Sequence, residues 1–312
     1  MTAIREVLVV GAGAMGCYFG ARLAEGGARV RLVDVDAERM AMIDRQGVEL
    51  EDDLGRRVVR LAAGVAAALP PGPADLVLVM TKAMHGRAAL ASVACAIGAR
   101  TVILSLQNGL GIEGELAAVA PVAPLVLGVT DVPADFRPPR GVASHGAGRV
   151  WVGAAAQANQ DAARRVFDLL VGCGCEAVLA PDIRVLVWEK AIFNAAFNAA
   201  CALLEVPVAG LDRPEGLALI AVIVGEAFAV ARLCGVLVDR QAVEAKIAHA
   251  LAHQGGHQPS MLQDRRAGRP TEIDYINGAI AAAARAHGGA APLNGALTDL
   301  VRLATTPPAH DR

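Results

Sequence analysis

The sequence predicts an α/β protein in which a doubly wound parallel sheet is followed by an all-helical domain. The chain has 312 residues, which exceeds the roughly 100 to 200 residues of a typical single domain. Short apolar runs alternate with helical patterns up to Pro181, and only helical patterns follow. We therefore expect a sheet domain at residues 1–182 and a helical domain at residues 183–312.

Four short apolar runs, rich in β-branched residues, mark the strands of the first domain: EVLVV, ARVRLVD, ADLVLVMT and TVILSLQNG. Helical patterns such as CYFGARLAEGG and HGRAALASVACAIG lie between them. Continuous apolar strands that alternate with helices indicate a parallel sheet covered on both faces. The stretch from residue 125 to 153 is less regular, and we expect its strands to complete or edge this sheet.

The motif GAGAMG lies directly after the first strand and directly before a helix, which is the setting of a Rossmann-type dinucleotide-binding turn. Gly11 allows the tight turn, Gly13 lets the backbone approach a pyrophosphate, and Gly16 lets the helix pack on the strand. A glycine-rich turn without a ligand is the alternative. The cofactor-binding stretch also includes Ala12, Ala14 and Met15.

Polar residues end the later strands, where doubly wound sheets bind their ligands. Asp34 ends the second strand and is placed to accept hydrogen bonds from the adenosine ribose, although it also suits a turn. Thr81 and Lys82 end the third strand, and Asn108 ends the fourth. We expect these three to border the nicotinamide half of a dinucleotide. A solvated loop lysine and a turn-forming asparagine are the alternatives for Lys82 and Asn108.

Three polar residues recur at every fourth position of the otherwise apolar helical segment WEKAIFNAAFNAACALL, namely Lys190, Asn194 and Asn198. Four residues of α-helix turn through roughly 400°, so these side chains form one stripe. Burying an amide without a partner costs about 1 to 3 kcal/mol, and burying an unpaired ammonium costs more. Something polar is therefore expected to meet the stripe.

The downstream segment PSMLQDRRAGRPTEIDYING contains two further candidates, Ser260 and Glu272. Ser260 fits a helix N-cap, and Glu272 fits the first turn of another helix. On the residues alone, each has a structural explanation.

Composition and charge exclude several functional classes. The formal net charge is −2 without a basic run, so nucleic acid is not expected as a partner. The six cysteines form no CxxC pair, which indicates reduced thiols in the cytoplasm, and the seven histidines form no HExxH motif, so no metal is expected. The N-terminus lacks the pattern of a signal peptide.

The most apolar segment, residues 216–238, contains Glu226 and Arg232. Charges are costly inside a bilayer, so we expect a core or subunit-interface helix and no membrane span.

Together these features resemble the ketopantoate reductases, which reduce 2-dehydropantoate to pantoate with a nicotinamide cofactor. The resemblance rests on GAGAMG, TKAMH, QNGLG, HGAGRVWVG, WEKAIFNAAFNAACALL and SMLQDRRAGRPTEIDYINGAI, and it runs from end to end. It implies a Rossmann domain followed by a helical domain like that of 6-phosphogluconate dehydrogenase, and many members are dimers.

The resemblance also implies roles for individual residues. Lys190 matches the general acid, and Glu272 matches a glutamate that holds and orients the substrate. Substrate or cofactor contacts are implied for Asn108, Asn194, Asn198 and Ser260. A homodimer that reduces a small 2-oxo acid is the expected enzyme.

Two features depart from the family pattern. Family members commonly carry a basic residue after the second strand, suited to the 2′-phosphate of NADPH, whereas this chain has Asp34, Val35 and Asp36. A carboxylate disfavours that phosphate, so the family implies NADPH and the residues favour NADH. Cys201 stands where many relatives have serine or threonine, and the true 2-oxo acid is open for that reason.

Three other functions are compatible with parts of the pattern. A β-hydroxyacid dehydrogenase also places a catalytic lysine and an asparagine four residues apart, but this chain lacks its glycine-rich DxPVSGG loop. An opine-type reductase would share the cofactor domain and need an amine cosubstrate. A non-catalytic nicotinamide-nucleotide-binding protein would be expected to lose Lys190 or Glu272, and both are present.

Overall fold

The computed structural model describes residues 3–146 and 148–305. Contacts divide the chain into two compact units. The first comprises the chain up to Gln107 together with Ile112–Ile183, and the second comprises Asn108–Gly111 together with the chain from Arg184 onward. The division therefore falls one residue beyond the expected boundary at residue 182, and the short segment Asn108–Gly111 packs with the helical unit.

The first unit contains all the strands of the described chain. They are β1 (Glu6–Val10), β2 (Arg29–Val33), β3 (Val48–Asp52), β4 (Gly55–Val59), β5 (Ala62–Gly64), β6 (Leu76–Val79), β7 (Val102–Ser105), β8 (Leu125–Thr130), β9 (Asp135–Arg137), β10 (Gly141–Ser144), β11 (Arg149–Ala154) and β12 (Glu176–Leu179). Its helices are α1 (Ala14–Glu25), α2 (Ala37–Gln46), α3 (Ala83–Ser92), α4 (Ile112–Val119) and α5 (Gln160–Gly172).

Eight strands form one sheet in the order β12-β11-β8-β7-β6-β1-β2-β5. Every neighbouring pair is parallel except β8 and β11. β6 and β7 are buried along their whole length, as expected for strands covered on both faces. The strand order reverses between β1 and β6, and such a reversal is where ligands bind in doubly wound sheets.

The expectation for residues 125–153 is only partly met. β8 and β11 join the main sheet, but β9 and β10 belong to a second sheet of four strands in the order β4-β3-β10-β9. In that sheet, β10 pairs in parallel with β3, which lies about ninety residues earlier in the chain. Pairing over such a separation leaves no local periodicity, so the sequence pattern does not indicate it.

The second unit is helical. Its helices are α6 (Ile183–Leu204), α7 (Pro214–Leu233), α8 (Arg240–His253), α9 (Ser260–Arg266), α10 (Asn277–Ala286) and α11 (Pro292–Thr305). α6 lies in the core of the unit, and its fully buried positions are mostly small residues that let neighbouring helices approach: Ala191, Ala195, Ala196, Ala199 and Ala200.

Helix α7 is the apolar segment noted in the sequence. Among the residues described, it is the one helix long and apolar enough to cross a membrane, and 39% of its most apolar window is buried within the protein. The Glu226 carboxylate accepts hydrogen bonds from the backbone amides of Leu293 and Asn294, at 2.9 and 3.0 Å. Glu226 therefore satisfies free amides at the start of α11, where a negative charge is favourable.

Candidate active site

The three glycines of the GAGAMG turn differ in what surrounds their Cβ positions. Gly11 has φ +103°, and a Cβ atom there would lie 2.7 Å from the backbone nitrogen of Thr81. A Cβ atom on Gly16 would lie 1.8 Å from the carbonyl oxygen of Gly11, so the helix can pack against the turn only with glycine there. Gly13 has nothing within 4 Å of its Cβ position, which leaves its backbone open to a ligand.

Helix α1 begins with its amide groups available to an anion. Gly13 occupies the N-cap position, provides no side-chain cap, and is followed by a first turn without an acidic residue. The amides of a helix N-terminus carry partial positive charge and suit a phosphate group. The residues of this turn therefore fit the pyrophosphate of a dinucleotide.

The Asp34 carboxylate is anchored at the end of β2. Its Oδ2 atom accepts a hydrogen bond of 2.6 Å from the Ala12 amide, and Nη2 of Arg39 lies 3.4 Å from the same oxygen. The Arg39 guanidinium also lies over the ring of Phe136, 5.2 Å from its centroid. Asp34 therefore has a cationic neighbour, which offsets part of the repulsion that it would exert on a phosphate.

Arg31, in the middle of β2, has a different environment from Arg39. Its side chain lines a surface groove together with Glu6, Arg29 and Pro70. Arg31 therefore differs from Arg39, which lies on α2 and faces Asp34.

The turn after β6 is held by a residue that the sequence analysis did not single out. Nε2 of Gln107 donates to the carbonyl oxygens of Thr81 and Lys82, at 2.8 and 3.2 Å, while its Oε1 accepts from Ser105 at 3.0 Å. Gln107 therefore ties the ends of β6 and β7 together. Its position beside Asn108 in the quoted QNGLG motif was the available signal.

Asn108 lies in the short segment that packs with the second unit. The amide of Leu110, two residues later, donates to the carbonyl oxygen of Tyr275 at 2.9 Å. The Oδ1 atom of Asn108 is buried and has no hydrogen-bond partner within the described chain. A buried acceptor without a hydrogen-bond partner costs about 1 to 3 kcal/mol of stability, and a ligand that donates a hydrogen bond to it would offset this cost.

The stripe on α6 has the polar character inferred from the sequence. Lys190 and Asn194 are half-buried, and Asn198 is only 4% exposed. Neither asparagine side chain makes a hydrogen bond to any of the residues described. Two amides are therefore held in a largely apolar helix with their hydrogen-bonding capacity available to a ligand.

The N-cap explanation for Ser260 is wrong by one residue, and Glu272 lies at the start of a 3₁₀ turn instead of in the first turn of an α-helix. Ser260 is exposed and is the first residue of α9, while Pro259 occupies the cap position and no side chain caps the helix. Glu272 is 8% exposed and precedes the 3₁₀ turn Ile273–Tyr275, whose last amide donates to its carbonyl oxygen. Local sequence does not determine the chain path here, because proline displaces the cap by one residue and a 3₁₀ turn precedes α10.

Comparison with known proteins places this arrangement in a family. The family model described as Ketopantoate reductase PanE/ApbA matches residues 7–157, and its C-terminal counterpart matches residues 182–305. The chain belongs to the ketopantoate reductase family. The prediction of this family from the quoted motifs is confirmed, as is the prediction of a Rossmann-type domain followed by a helical one.

Relatives of this reductase extend over nearly the whole chain. A 2-dehydropantoate 2-reductase of Halobacterium salinarum is 32% identical over 304 residues, which are 96% of this chain and 98% of that protein. A 2-dehydropantoate 2-reductase of Streptococcus pyogenes is 31% identical over 276 residues, 88% of this chain and 89% of that protein. The protein is therefore an NAD(P)-dependent 2-oxo acid reductase, as predicted.

Solved structures of two related oxidoreductases have the same fold as this chain. The ternary structure of a D-mandelate dehydrogenase with NADH and anilino(oxo)acetate superposes with a TM-score of 0.89 at 30% identity, covering 96% of this chain and 98% of that one. A PanE/ApbA family ketopantoate reductase from Ralstonia eutropha superposes with a TM-score of 0.86 at 29% identity, with the same coverage. The two names differ in the 2-oxo acid that they imply.

Cys201 of this reductase is packed within the second unit. It is fully buried, and burial raises the pKa of its thiol to about 11. The thiol is therefore neutral near pH 7 and contributes apolar surface to the core of the second unit.

No metal-binding group emerges from residues 3–146 and 148–305: their His, Cys, Asp and Glu side chains form no cluster of three that would hold an ion. All six cysteines are free thiols.

Proposed function

We propose that this reductase transfers a hydride from NADH to the ketone carbon of a small 2-oxo acid, with 2-dehydropantoate as the leading substrate and pantoate as the product. The observation that carries the proposal is the stripe on α6, where Lys190 is followed by two asparagines whose amides have no partner among the described residues. The reaction would supply pantoate for pantothenate synthesis.

Each residue of the stripe has a chemical task in this proposal. The bound dihydronicotinamide supplies the hydride. The Lys190 ammonium donates a hydrogen bond to the ketone oxygen, stabilises the negative charge that grows there, and transfers a proton to it. Asn194 and Asn198 donate to the oxygens of the substrate and hold the ketone in one orientation.

The remaining substrate contacts come from residues that the family resemblance implies. Glu272 orients Lys190 or the substrate from a buried position, and Ser260 and Asn108 supply further polar contacts. The Oδ1 atom of Asn108, buried without a partner in the described chain, suits a donor on the substrate or on the nicotinamide amide.

The cofactor contacts belong to the first unit. Backbone amides of the Gly11–Gly16 turn bind the pyrophosphate, and Asp34 accepts from the adenosine ribose. Thr81 and Lys82 border the nicotinamide half. NADH is the proposed cofactor because of Asp34, and Arg39 keeps the penalty for NADPH small.

Reduction of an aromatic 2-oxo acid is the second candidate function. It is favoured by the structural similarity to the D-mandelate dehydrogenase that binds NADH and anilino(oxo)acetate. The buried Cys201, which replaces a hydroxyl, also favours a less polar substrate.

A panel of 2-oxo acids assayed with NADH and with NADPH tests both functions. The expected result is a higher kcat/KM for 2-dehydropantoate than for phenylglyoxylate, and higher values with NADH than with NADPH. The reverse order of the two acids would replace the first function by the second, and no turnover of either acid would overturn both.

We also propose that the enzyme is a cytoplasmic homodimer that uses α7 as a protein-covered surface rather than as a membrane span. Leu217 and Val222 on α7 are 44% and 52% exposed, and less than half of its most apolar window is buried by its own unit. Six free thiols suit a reducing compartment. Neither nucleic acid nor membrane is a proposed partner.

A further inference from the structure

Asn277 is a fully buried polar residue that no part of the proposed mechanism uses. It is the first residue of α10, and none of its surface is exposed. Its Nδ2 atom donates to the carbonyl oxygen of Ala195 at 3.4 Å and to Oδ1 of Asn294 at 3.0 Å. Ala195 belongs to α6 and is the residue directly after Asn194. The Asn277 side chain is therefore hydrogen-bonded to the backbone of α6, the helix that carries the stripe.

The position of this contact on α6 follows from helix geometry. Each residue turns the helix by roughly 100°, so Ala195 lies about 100° from Asn194 and about 60° from Asn198 around the axis. The Ala195 carbonyl oxygen also accepts the helical hydrogen bond from the amide four residues later. Asn277 thus bonds α6 at one side of the stripe, at a height along the helix axis between the two asparagines.

The orientation of the Asn277 amide is determined by its neighbours. Nδ2 of Asn294 donates to the carbonyl oxygen of Ile223 at 3.2 Å and to Oε2 of Glu226 at 2.8 Å, and both atoms can only accept. The Oδ1 atom of Asn294 must therefore face Asn277. Turning the Asn277 amide over would place its own oxygen against that atom and against the oxygen of Ala195, so the observed orientation is the one that the network allows.

This orientation leaves Oδ1 of Asn277 buried without a hydrogen-bond partner in the described part of the chain. Asn277 therefore acts on the surrounding helices through the two hydrogen bonds that its Nδ2 atom donates.

We propose that Asn277 is a positioning residue, which fixes the rotation of α6 and thereby the direction of the Asn194 and Asn198 amides toward the 2-oxo acid. Asn294 and Glu226 act through it by fixing its orientation. The inference rests on the proposed function of the stripe. Cofactor binding is expected to be unaffected, because every residue involved belongs to the second unit.

The test is Asn277→Asp, which keeps the shape of the side chain and replaces the two donors by an oxygen that faces two acceptors. The matched control is Thr298→Val. Thr298 is buried in the same unit, and its hydroxyl donates to the backbone oxygen of Asn294 at 2.8 Å, a bond within α11 that does not involve α6. Asn277→Ala, which removes the donors without adding charge, replaces the aspartate variant if that protein does not fold.

Steady-state kinetics are measured with NADH and whichever of 2-dehydropantoate and phenylglyoxylate the wild type reduces. We expect Asn277→Asp to lower kcat/KM for the 2-oxo acid about tenfold, mainly through KM, while the KM for NADH changes less than twofold. Thr298→Val should leave both constants within twofold of the wild type. A folded Asn277 variant with unchanged kcat/KM, or an equal loss in Thr298→Val, would overturn the proposal.

Amide hydrogen exchange of α6 gives a second readout that needs no substrate. Exchange in a peptide that spans residues 193–203 is expected to become at least about tenfold faster in Asn277→Asp and to stay unchanged in Thr298→Val. Unchanged exchange in both variants also refutes the proposal. If the wild type reduces neither acid, the proposed function fails, and this measurement still decides whether Asn277 holds α6 in place.

Discussion

Replacing Arg39 with methionine is expected to lower the catalytic efficiency with NADPH far more than that with NADH. Nη2 of Arg39 lies 3.4 Å from Oδ2 of Asp34, and its Nε lies 3.7 Å from Oδ2 of Asp36. The guanidinium is therefore the positive charge among two carboxylates at the end of β2. Without it, a 2′-phosphate bound beside Asp34 would meet negative charge alone.

The magnitude follows from Coulomb's law. A phosphate with close to two negative charges about 4 Å from the guanidinium gains roughly 2 kcal/mol at the dielectric constant of water, which corresponds to about 30-fold in kcat/KM. Both side chains of the Arg39–Asp34 pair are less than one-fifth exposed, so the effective dielectric constant is lower and the loss is at least of this order. NADH lacks the phosphate and should lose less than about threefold.

Initial rates with each cofactor at saturating 2-oxo acid give the ratio of the two efficiencies. Arg31→Met is the matched control, because Arg31 lies on the same strand as Asp34 but lines the groove with Glu6 and Arg29. Its ratio should equal that of the wild type. An Arg39→Met enzyme whose ratio also stays within twofold of the wild type would refute the electrostatic role of Arg39.

Three further predictions concern the second unit. Lys190→Met should reduce kcat for ketone reduction at least about 100-fold with unchanged NADH affinity. The control variant Lys246→Met should keep the kcat of the wild type. A Lys190 variant with a kcat comparable to the wild type, under conditions where chemistry limits the rate, would show that Lys190 is not the proton donor. Asn194→Ala should raise the KM of the 2-oxo acid about tenfold with little change in kcat, measured by steady-state kinetics, and an unchanged KM would take Asn194 out of the substrate site. Val222→Lys should convert the proposed dimer into a monomer, measured by light scattering coupled to gel filtration. Val122→Lys, on an exposed part of the first unit, should leave the dimer intact. A Val222 variant that stays dimeric contradicts the role of α7.

The features that the sequence predicted well are those encoded over a few neighbouring residues. The glycines of GAGAMG contact their own turn and the adjacent strand end, so their spacing is sufficient to predict the tight connection between β1 and α1. The stripe on α6 follows from helical periodicity, and the low exposure of Asn198 agrees with it. The family motifs gave the activity because they span both units.

The features that the sequence missed depend on partners far away along the chain. The second sheet pairs β3 with β10, and Glu226 caps a helix that begins more than sixty residues later. The direction of Arg39 toward Asp34 depends on Phe136, which lies on a strand of that second sheet. Tertiary packing decides such contacts, and no local pattern encodes them.

The bonds of Gln107 limit how the turn after β6 can be redesigned. One side-chain amide holds the carbonyl oxygens of both Thr81 and Lys82, and its own oxygen is held by Ser105. A Cβ atom on Gly86 would lie 2.8 Å from the same amide, so α3 is fitted to this side chain as well. If only the loop after β6 were replaced by that of a relative, its carbonyl oxygens would not be matched to the Gln107 amide that holds them here. Grafts intended to alter coenzyme use should therefore transplant residues 81–86 and 105–107 as one cassette.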